Sequence, residues 1–198
     1  MKVVIVGGVA GGATAAARIR RLNEQAEIVV FERSGYISYA NCGLPYYIGG
    51  VIEDPEDLTL QTPESFFSRF RIHMKVHHEV TAIHPDSKTV SVKNLETGEI
   101  FEESYDKLLL SPGAKPVWPN LPGMNSDKLF TLRTVEDTFR IKEFVDQQRP
   151  KSAVMVGGGF IGLEVAENLR ELGMEVTIVQ RPKQLMNPFD ADMASFIH

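Results

Sequence analysis

The chain has 198 residues, 43% of them hydrophobic, and a formal net charge of −5 with acidic and basic residues interspersed. That is enough to bury a core as one large domain or one and a half ordinary ones, and it offers no sequence-wide positive field for nucleic acid. No apolar run reaches the roughly 18 residues of a membrane span, Met1-Lys2 leads straight into a strand instead of a signal peptide, and a lone cysteine excludes an internal disulfide framework and suits a reducing cytoplasm.

Val3-Val4-Ile5-Val6 is a short apolar, β-branched run that ends at Gly7-Gly8-Val9-Ala10-Gly11-Gly12, after which Ala13 to Leu22 has helical composition. A second apolar strand, Ile28 to Phe31, ends on Glu32, 20 residues after Gly12. That spacing suits a βαβ dinucleotide site. Small residues admit a pyrophosphate, a helix N-terminus binds it, and the acid accepts hydrogen bonds from ribose hydroxyls. Val9 stands where the middle glycine of the usual pattern would be.

The only cysteine follows in Ser38-Tyr39-Ala40-Asn41-Cys42-Gly43-Leu44-Pro45-Tyr46-Tyr47. With Asn41 as cap, Gly43 leaving the sulfur uncrowded and Pro45 in the first turn, Cys42 is expected at a helix N-terminus, where the dipole favours thiolate over thiol. This marks Cys42 as a candidate redox centre; the alternative is a small buried hydrophobe.

Gly49-Gly50 is expected to end that helix, Asp54 to Asp57 to turn, and Thr62-Pro63-Glu64-Ser65 to open another helix. His78 to His84, Thr89 to Lys93 and Glu99 to Glu103 alternate and are separated by turn residues, which predicts an inserted antiparallel meander. His73, His77 and His78 are not expected to hold a metal, because neighbouring strand residues face opposite ways and no cysteine or acid cluster accompanies them. Leu108 to Leu110 is another buried strand that stops at the turn Ser111-Pro112-Gly113, followed by a proline-rich connector whose Trp118 is expected to pack against it. Thr134 and Asp137 predict a capped helix to about Gln148.

Ala153 to Val156 then runs into Gly157-Gly158-Gly159-Phe160-Ile161-Gly162, a helix from Leu163 to Leu172, and a strand from Val176 to Val179. All three glycines of the dinucleotide pattern, Gly157, Gly159 and Gly162, are present. Gly7, Gly8, Gly12, Ala16, Arg20 and Leu22 recur 150 residues later. Two such units imply two cofactors. The second acid is replaced by Gln180-Arg181, which removes repulsion toward a 2′-phosphate and leans toward NADPH over NADH if Arg181 pairs with that phosphate instead of only facing solvent.

Taken together, GGVAGGATAAARIRRL, SYANCGLPYY, TPESF, YDKLLLSPGA and GGGFIGLE resemble the pyridine nucleotide-disulfide oxidoreductase superfamily along the whole chain. The resemblance is to its single-cysteine branch, which contains coenzyme A disulfide reductases, NADH oxidases and NADH peroxidases. It implies an α/β fold: a Rossmann-like FAD-binding domain with an inserted antiparallel β-meander at 1–115, a connector and helix at 116–150, and the start of a second Rossmann-like NAD(P)H-binding domain at 151–198. Residues Gly7, Gly8, Val9, Ala10, Gly11, Gly12, Glu32 and Arg33, with Ser111, Pro112 and Gly113, would then serve FAD. Gly157, Gly159, Gly162, Gln180 and Arg181 would serve NAD(P)H. Val9 is usual in this branch.

The resemblance further implies that Thr14, Arg18, Arg21, Ser38 and Asn41 hold coenzyme A, a ligand whose phosphates suit arginine. Arg18 and Arg21 are otherwise solvated helix residues. A lysine frequent near position 70 is replaced by Arg69, Phe70 and Arg71. Two-cysteine relatives have a second cysteine where Tyr47 stands, so Cys42 is expected either to form a mixed disulfide with coenzyme A, giving a disulfide or persulfide reductase, or to cycle through sulfenic acid, giving a peroxidase or oxidase. The family continues beyond the position of His198 into a dimerisation domain. This predicts a homodimer for the longer protein, and an incomplete and inactive or non-catalytic nucleotide-binding piece for these residues alone.

Overall fold

A computed structural model describes all 198 residues, Met1–His198. They form two compact units that do not follow chain order: Met1–Ala40 with Thr59–Lys115, and Asn41–Leu58 with Pro116–His198. No helix is long and apolar enough to cross a membrane.

The first unit is built on a parallel sheet of β1 (Lys2–Val6), β2 (Glu27–Phe31), β3 (His73–Lys75) and β7 (Lys107–Leu110), in the order β3-β2-β1-β7. Because successive side chains alternate across a strand, Val3, Ile5, Ile28 and Val30 fill one face, together with Ala13 and Ala16 of α1 (Ala10–Leu22) and Phe66 of α3 (Pro63–Phe70). Val4, Val29 and Phe31 fill the other face with Val90 and Val92 of the antiparallel meander β4 (His78–His84), β5 (Thr89–Asn94) and β6 (Ile100–Ser104). A sheet covered on both faces explains why β1 and β2 read as unbroken apolar runs. Each fully buried side chain there contributes about 2 kcal/mol.

Thr62 and Ser65 cap α3 reciprocally, with Thr62 N–H donating to Ser65 Oγ at 2.9 Å and Ser65 N–H to Thr62 Oγ1 at 3.2 Å. Arg20 closes the far end of α1. Its guanidinium donates to the carbonyls of Glu24 at 2.6 Å, Ala26 at 2.7 Å, Phe70 at 2.8 Å and Arg71 at 3.0 Å, which ties the α1–β2 turn to the end of α3.

In the second unit, β8 (Ser152–Val156) and β9 (Glu175–Val179) pair in parallel, joined through α5 (Phe160–Glu171). Helices α2 (Leu44–Gly49) and α4 (Val135–Gln148) pack with them: Ile48, Ile141, Val165, Leu169 and Met174 make one cluster. The short α6 (Ala191–Ala194) lies in the last segment. Thr134 and Asp137 form the capping box of α4. Burial of Ile48 in that cluster is why residues 41–58, although they follow β2 in sequence, group with the second unit.

Candidate functional site

In the first unit, β1 delivers the chain into a turn whose geometry only glycine fits. Gly7 has φ +96°, and its N–H donates to Phe31 O at 2.8 Å. A Cβ on Gly7 would meet the Ser111 carbonyl, one on Gly11 the Ser111 hydroxyl, and one on Gly12 the Gly7 carbonyl. Helix α1 opens at Ala10 with Val9 at its N-cap and no side-chain cap. No side-chain oxygen therefore caps its first-turn N–H groups, the arrangement that suits a bound anion. Glu32 closes the site. Oε2 accepts from Gly8 N–H at 2.7 Å, and Oε1 accepts from the Ser34 N–H at 2.8 Å and hydroxyl at 2.9 Å.

Ser111 N–H donates to Val6 O at 2.8 Å, which sets its turn against the glycine loop, with Pro112 and Gly113 exposed. Ser38, held at φ +46°, donates its N–H to Gly8 O at 3.0 Å. Thus Gly7 to Gly12, Glu32, Ser38 and Ser111 come together within this unit. Arg33 points away into a surface pair with Glu79 at 3.7 Å. Thr14, Arg18 and Arg21 are all exposed, follow the spacing of one helix face, and their side chains form no hydrogen bond or ion pair.

The second unit repeats the arrangement. Gly157 has φ +107° and donates to Val179 O at 2.9 Å, and a Cβ on Gly162 would meet the Gly157 carbonyl. Gly159 is the N-cap of α5, again without a side-chain cap. Gln180 takes the place of Glu32. Its Oε1 accepts from Gly158 N–H at 2.8 Å while its Nε2 donates to Gln184 O at 3.1 Å. Met186 N–H donates to Gly158 O at 2.8 Å, so residues 181–186 are drawn onto the glycine turn. Arg181 is exposed there and has no partner of its own.

Cys42, also in the second unit, is an exposed free thiol. One expectation is corrected here. Residues Asn41–Gly43 form a 3₁₀ turn, and α2 starts only at Leu44 with Gly43 as N-cap and no side-chain cap. Asn41 does not cap because its Oδ1 accepts instead from Arg133 Nη1 at 2.9 Å. Pro45 does lie in the first turn of α2, and Gly50 ends the helix at φ +81°. Tyr47 packs edge-on against Phe139 with centroids 5.5 Å apart. Arg133 was not among the residues singled out from sequence; its only local signal is its place just ahead of the Thr134 cap. Trp118 is half exposed and lines an open cleft with Phe130, Phe144 and Arg140. The three histidines diverge: His73 lies against Phe67, His77 lies 4.0 Å from Glu96, and His78 Nδ1 bonds Val76 O at 2.6 Å.

Comparison with known proteins bears on what these sites serve. Coenzyme A disulfide reductase of Staphylococcus haemolyticus (strain JCSC1435) is 47% identical over 196 residues, 99% of this chain and 44% of that protein. The crystal structure of reduced Bacillus anthracis CoADR-RHD superposes with a TM-score of 0.96 at 52% identity, covering 100% of this chain and 36% of that one. The water-forming NADH oxidase from Lactobacillus brevis bound to NADH gives 0.92 at 35% identity, covering 100% and 43%. The chain spans less than half the length of each of these relatives. Its residues 1–198 match the pyridine nucleotide-disulphide oxidoreductase family throughout, and it belongs to that family.

Proposed function

We propose that these residues supply the FAD turn, the NAD(P)H turn and the redox cysteine of a coenzyme A disulfide reductase, or of an enzyme that reduces a related disulfide or persulfide. The observation that carries the reading is an exposed single cysteine in a chain with two glycine turns of matching geometry, nearly half identical to named coenzyme A disulfide reductases.

The first turn fits FAD: Gly7, Gly8, Val9, Ala10, Gly11 and Gly12 leave room and N–H donors for a pyrophosphate, Ser111 to Gly113 wall the turn, and the Glu32 carboxylate keeps lone-pair capacity for a ribose hydroxyl. The second turn fits NAD(P)H through Gly157, Gly159 and Gly162, with Arg181 beside Gln180 favouring a 2′-phosphate. When bound, FAD relays an electron pair from the nicotinamide to sulfur.

Cys42 does the sulfur chemistry. Its thiolate attacks one sulfur of the external disulfide, the S–S bond breaks, one thiolate leaves, and a mixed disulfide remains on Cys42. Two electrons and one proton then release the second thiol and restore the Cys42 thiolate. Thr14, Arg18, Arg21, Ser38 and Asn41 hold coenzyme A, the exposed arginines taking its phosphates. The working protein is a homodimer of the longer chain in the cytoplasm.

A second reading is favoured by likeness to the water-forming NADH oxidase: Cys42 cycles through sulfenic acid, as a chain with no second cysteine permits. Mass spectrometry of Cys42 after non-reducing purification separates the two. A coenzyme A adduct supports the reductase; a sulfenic adduct with no coenzyme A overturns it in favour of the oxidase or peroxidase.

A further inference from the structure

We infer that Arg133 is a positioning residue for Cys42, acting through the side chain of Asn41. This rests on the reading of Cys42 as the redox sulfur. The 3₁₀ turn that carries Cys42 is tied by a side-chain hydrogen bond from Arg133 Nη1 to Asn41 Oδ1 at 2.9 Å. The base of that arginine is itself fixed. Its backbone N–H donates to Asp137 Oδ2 at 3.0 Å, in the same carboxylate that receives Thr134 N–H at 3.2 Å in the capping box of α4. The strut therefore starts beside the capped N-terminus of a 14-residue helix.

The other end of the segment is held differently. Ile48 is fully buried against Ile141 and Val165, and Gly49 leaves no room for a Cβ beside Asn168, whose Nδ2 donates to Glu164 O at 2.8 Å. Helix α2 thus needs no help to stay on α4 and α5. The turn ahead of it, uncapped by any side chain, does. Arginine has only donors, so the bond also decides which way the Asn41 amide faces: Oδ1 goes to Arg133 and both Nδ2 hydrogens remain for an acceptor on the substrate.

The test is the rate at which the reduced chain reacts at Cys42 with dithiobis(nitrobenzoate), a bulky disulfide probe that needs no turnover. Arg133→Met and Asn41→Leu are each expected to raise the rate about fivefold, toward that of the unfolded chain, and the double variant to raise it no further, since both break the Arg133–Asn41 bond. Arg133→Lys, which keeps a donor, is expected to restore the parental rate. Independent multiplication of the two effects, an unchanged rate in Arg133→Met, or failure of Arg133→Lys to rescue would overturn the assignment. If Arg133→Met does not fold by circular dichroism, Asn41→Leu against Asn41→Asp reads the same bond from its other end, with the aspartate expected to match the parent and a rate like that of the leucine variant counting against it. The redox reading fails separately: absence of any coenzyme A or sulfenic adduct on Cys42 would overturn it while leaving the coupling between Arg133 and Asn41 measurable.

Discussion

The two glycine turns share a backbone and differ in one side chain. In both, a glycine at positive φ donates to the last carbonyl of the neighbouring strand, and a later glycine approaches that first glycine's carbonyl too closely for a Cβ. In both, the second glycine's N–H is received by the side chain just after the second strand: Glu32 in one unit, Gln180 in the other. The carboxylate can only accept, and gathers Ser34 as well. The amide accepts with one atom and donates with the other, and so pulls residues 181–186 toward the turn. Shape is thus set by glycines, and the two turns differ by a single exchange of charge. The units also differ in cover. The β1–β2 sheet is packed on both faces, whereas the β8–β9 pair leaves Val154, Val156 and Val179 exposed on one.

The sharpest way to separate the units is steric. Gly12→Val forces a side chain into the Gly7 carbonyl and is expected to weaken flavin retention about a hundredfold, or about 2.7 kcal/mol, read by bound flavin absorbance. Gly162→Val is expected to spare flavin and weaken nicotinamide nucleotide binding by a similar factor. Loss of both ligands in either variant would show that the turns are not independent.

The contrast in cover predicts unequal stability effects. Val4→Ala, at a fully buried position, is expected to cost about 2 kcal/mol in denaturant titration. Val156→Ala, at a position 81% exposed, should change stability by less than about 0.5 kcal/mol. Equal costs would mean that the bare face is covered in solution.

The charge exchange predicts an effect of intermediate size. Gln180→Glu removes the donor to Gln184 and sets a carboxylate beside Arg181, where a 2′-phosphate would lie on the proposed reading. The ratio of NADPH to NADH affinity is expected to fall about tenfold, or 1.4 kcal/mol, and an unchanged ratio would remove Gln180 from nucleotide selection.

The smallest effect concerns the first unit alone. Hydrogen bonding to Glu103, with Glu27 adding to it and partial burial opposing it, holds the Lys2 ammonium above its ordinary pKa. The folded value exceeds the unfolded one, so this contribution is complete below the ordinary lysine range and is lost as pH rises through the raised value. Denaturant midpoints at alkaline pH should fall less steeply for Lys2→Met than for the parent.

Both glycine units were readable because their signals are local: an apolar strand, glycines at fixed spacing, a helix, and an acid or its substitute. The meander was readable for the same reason, since Pro85 to Lys88 and Glu96 to Gly98 punctuate it. Strand β3 was not, because His73–Lys75 is too short to show a period and pairs only on the sheet's edge. The expected capping by Asn41 fails because an asparagine before a helix is a good cap unless something takes its oxygen, and that something lies 92 residues away. The grouping of residues 41–58 with the second unit is likewise a long-range packing result, carried by Ile48 meeting Ile141 and Val165.

The interleaving of the two units also constrains how the protein can emerge from a ribosome. Strand β1 pairs with β7 across about a hundred residues of intervening chain, so the opening strand must wait for one edge of its sheet until residue 110 has been made. Residues 41–58 wait longer still, since Ile48 finds its neighbours only after α4 and α5 have been synthesised. The cysteine-bearing segment is therefore the last of the early chain to reach its native surroundings, and a nascent chain paused between β7 and α4 would carry its one thiol ahead of the packing that later fixes Ile48.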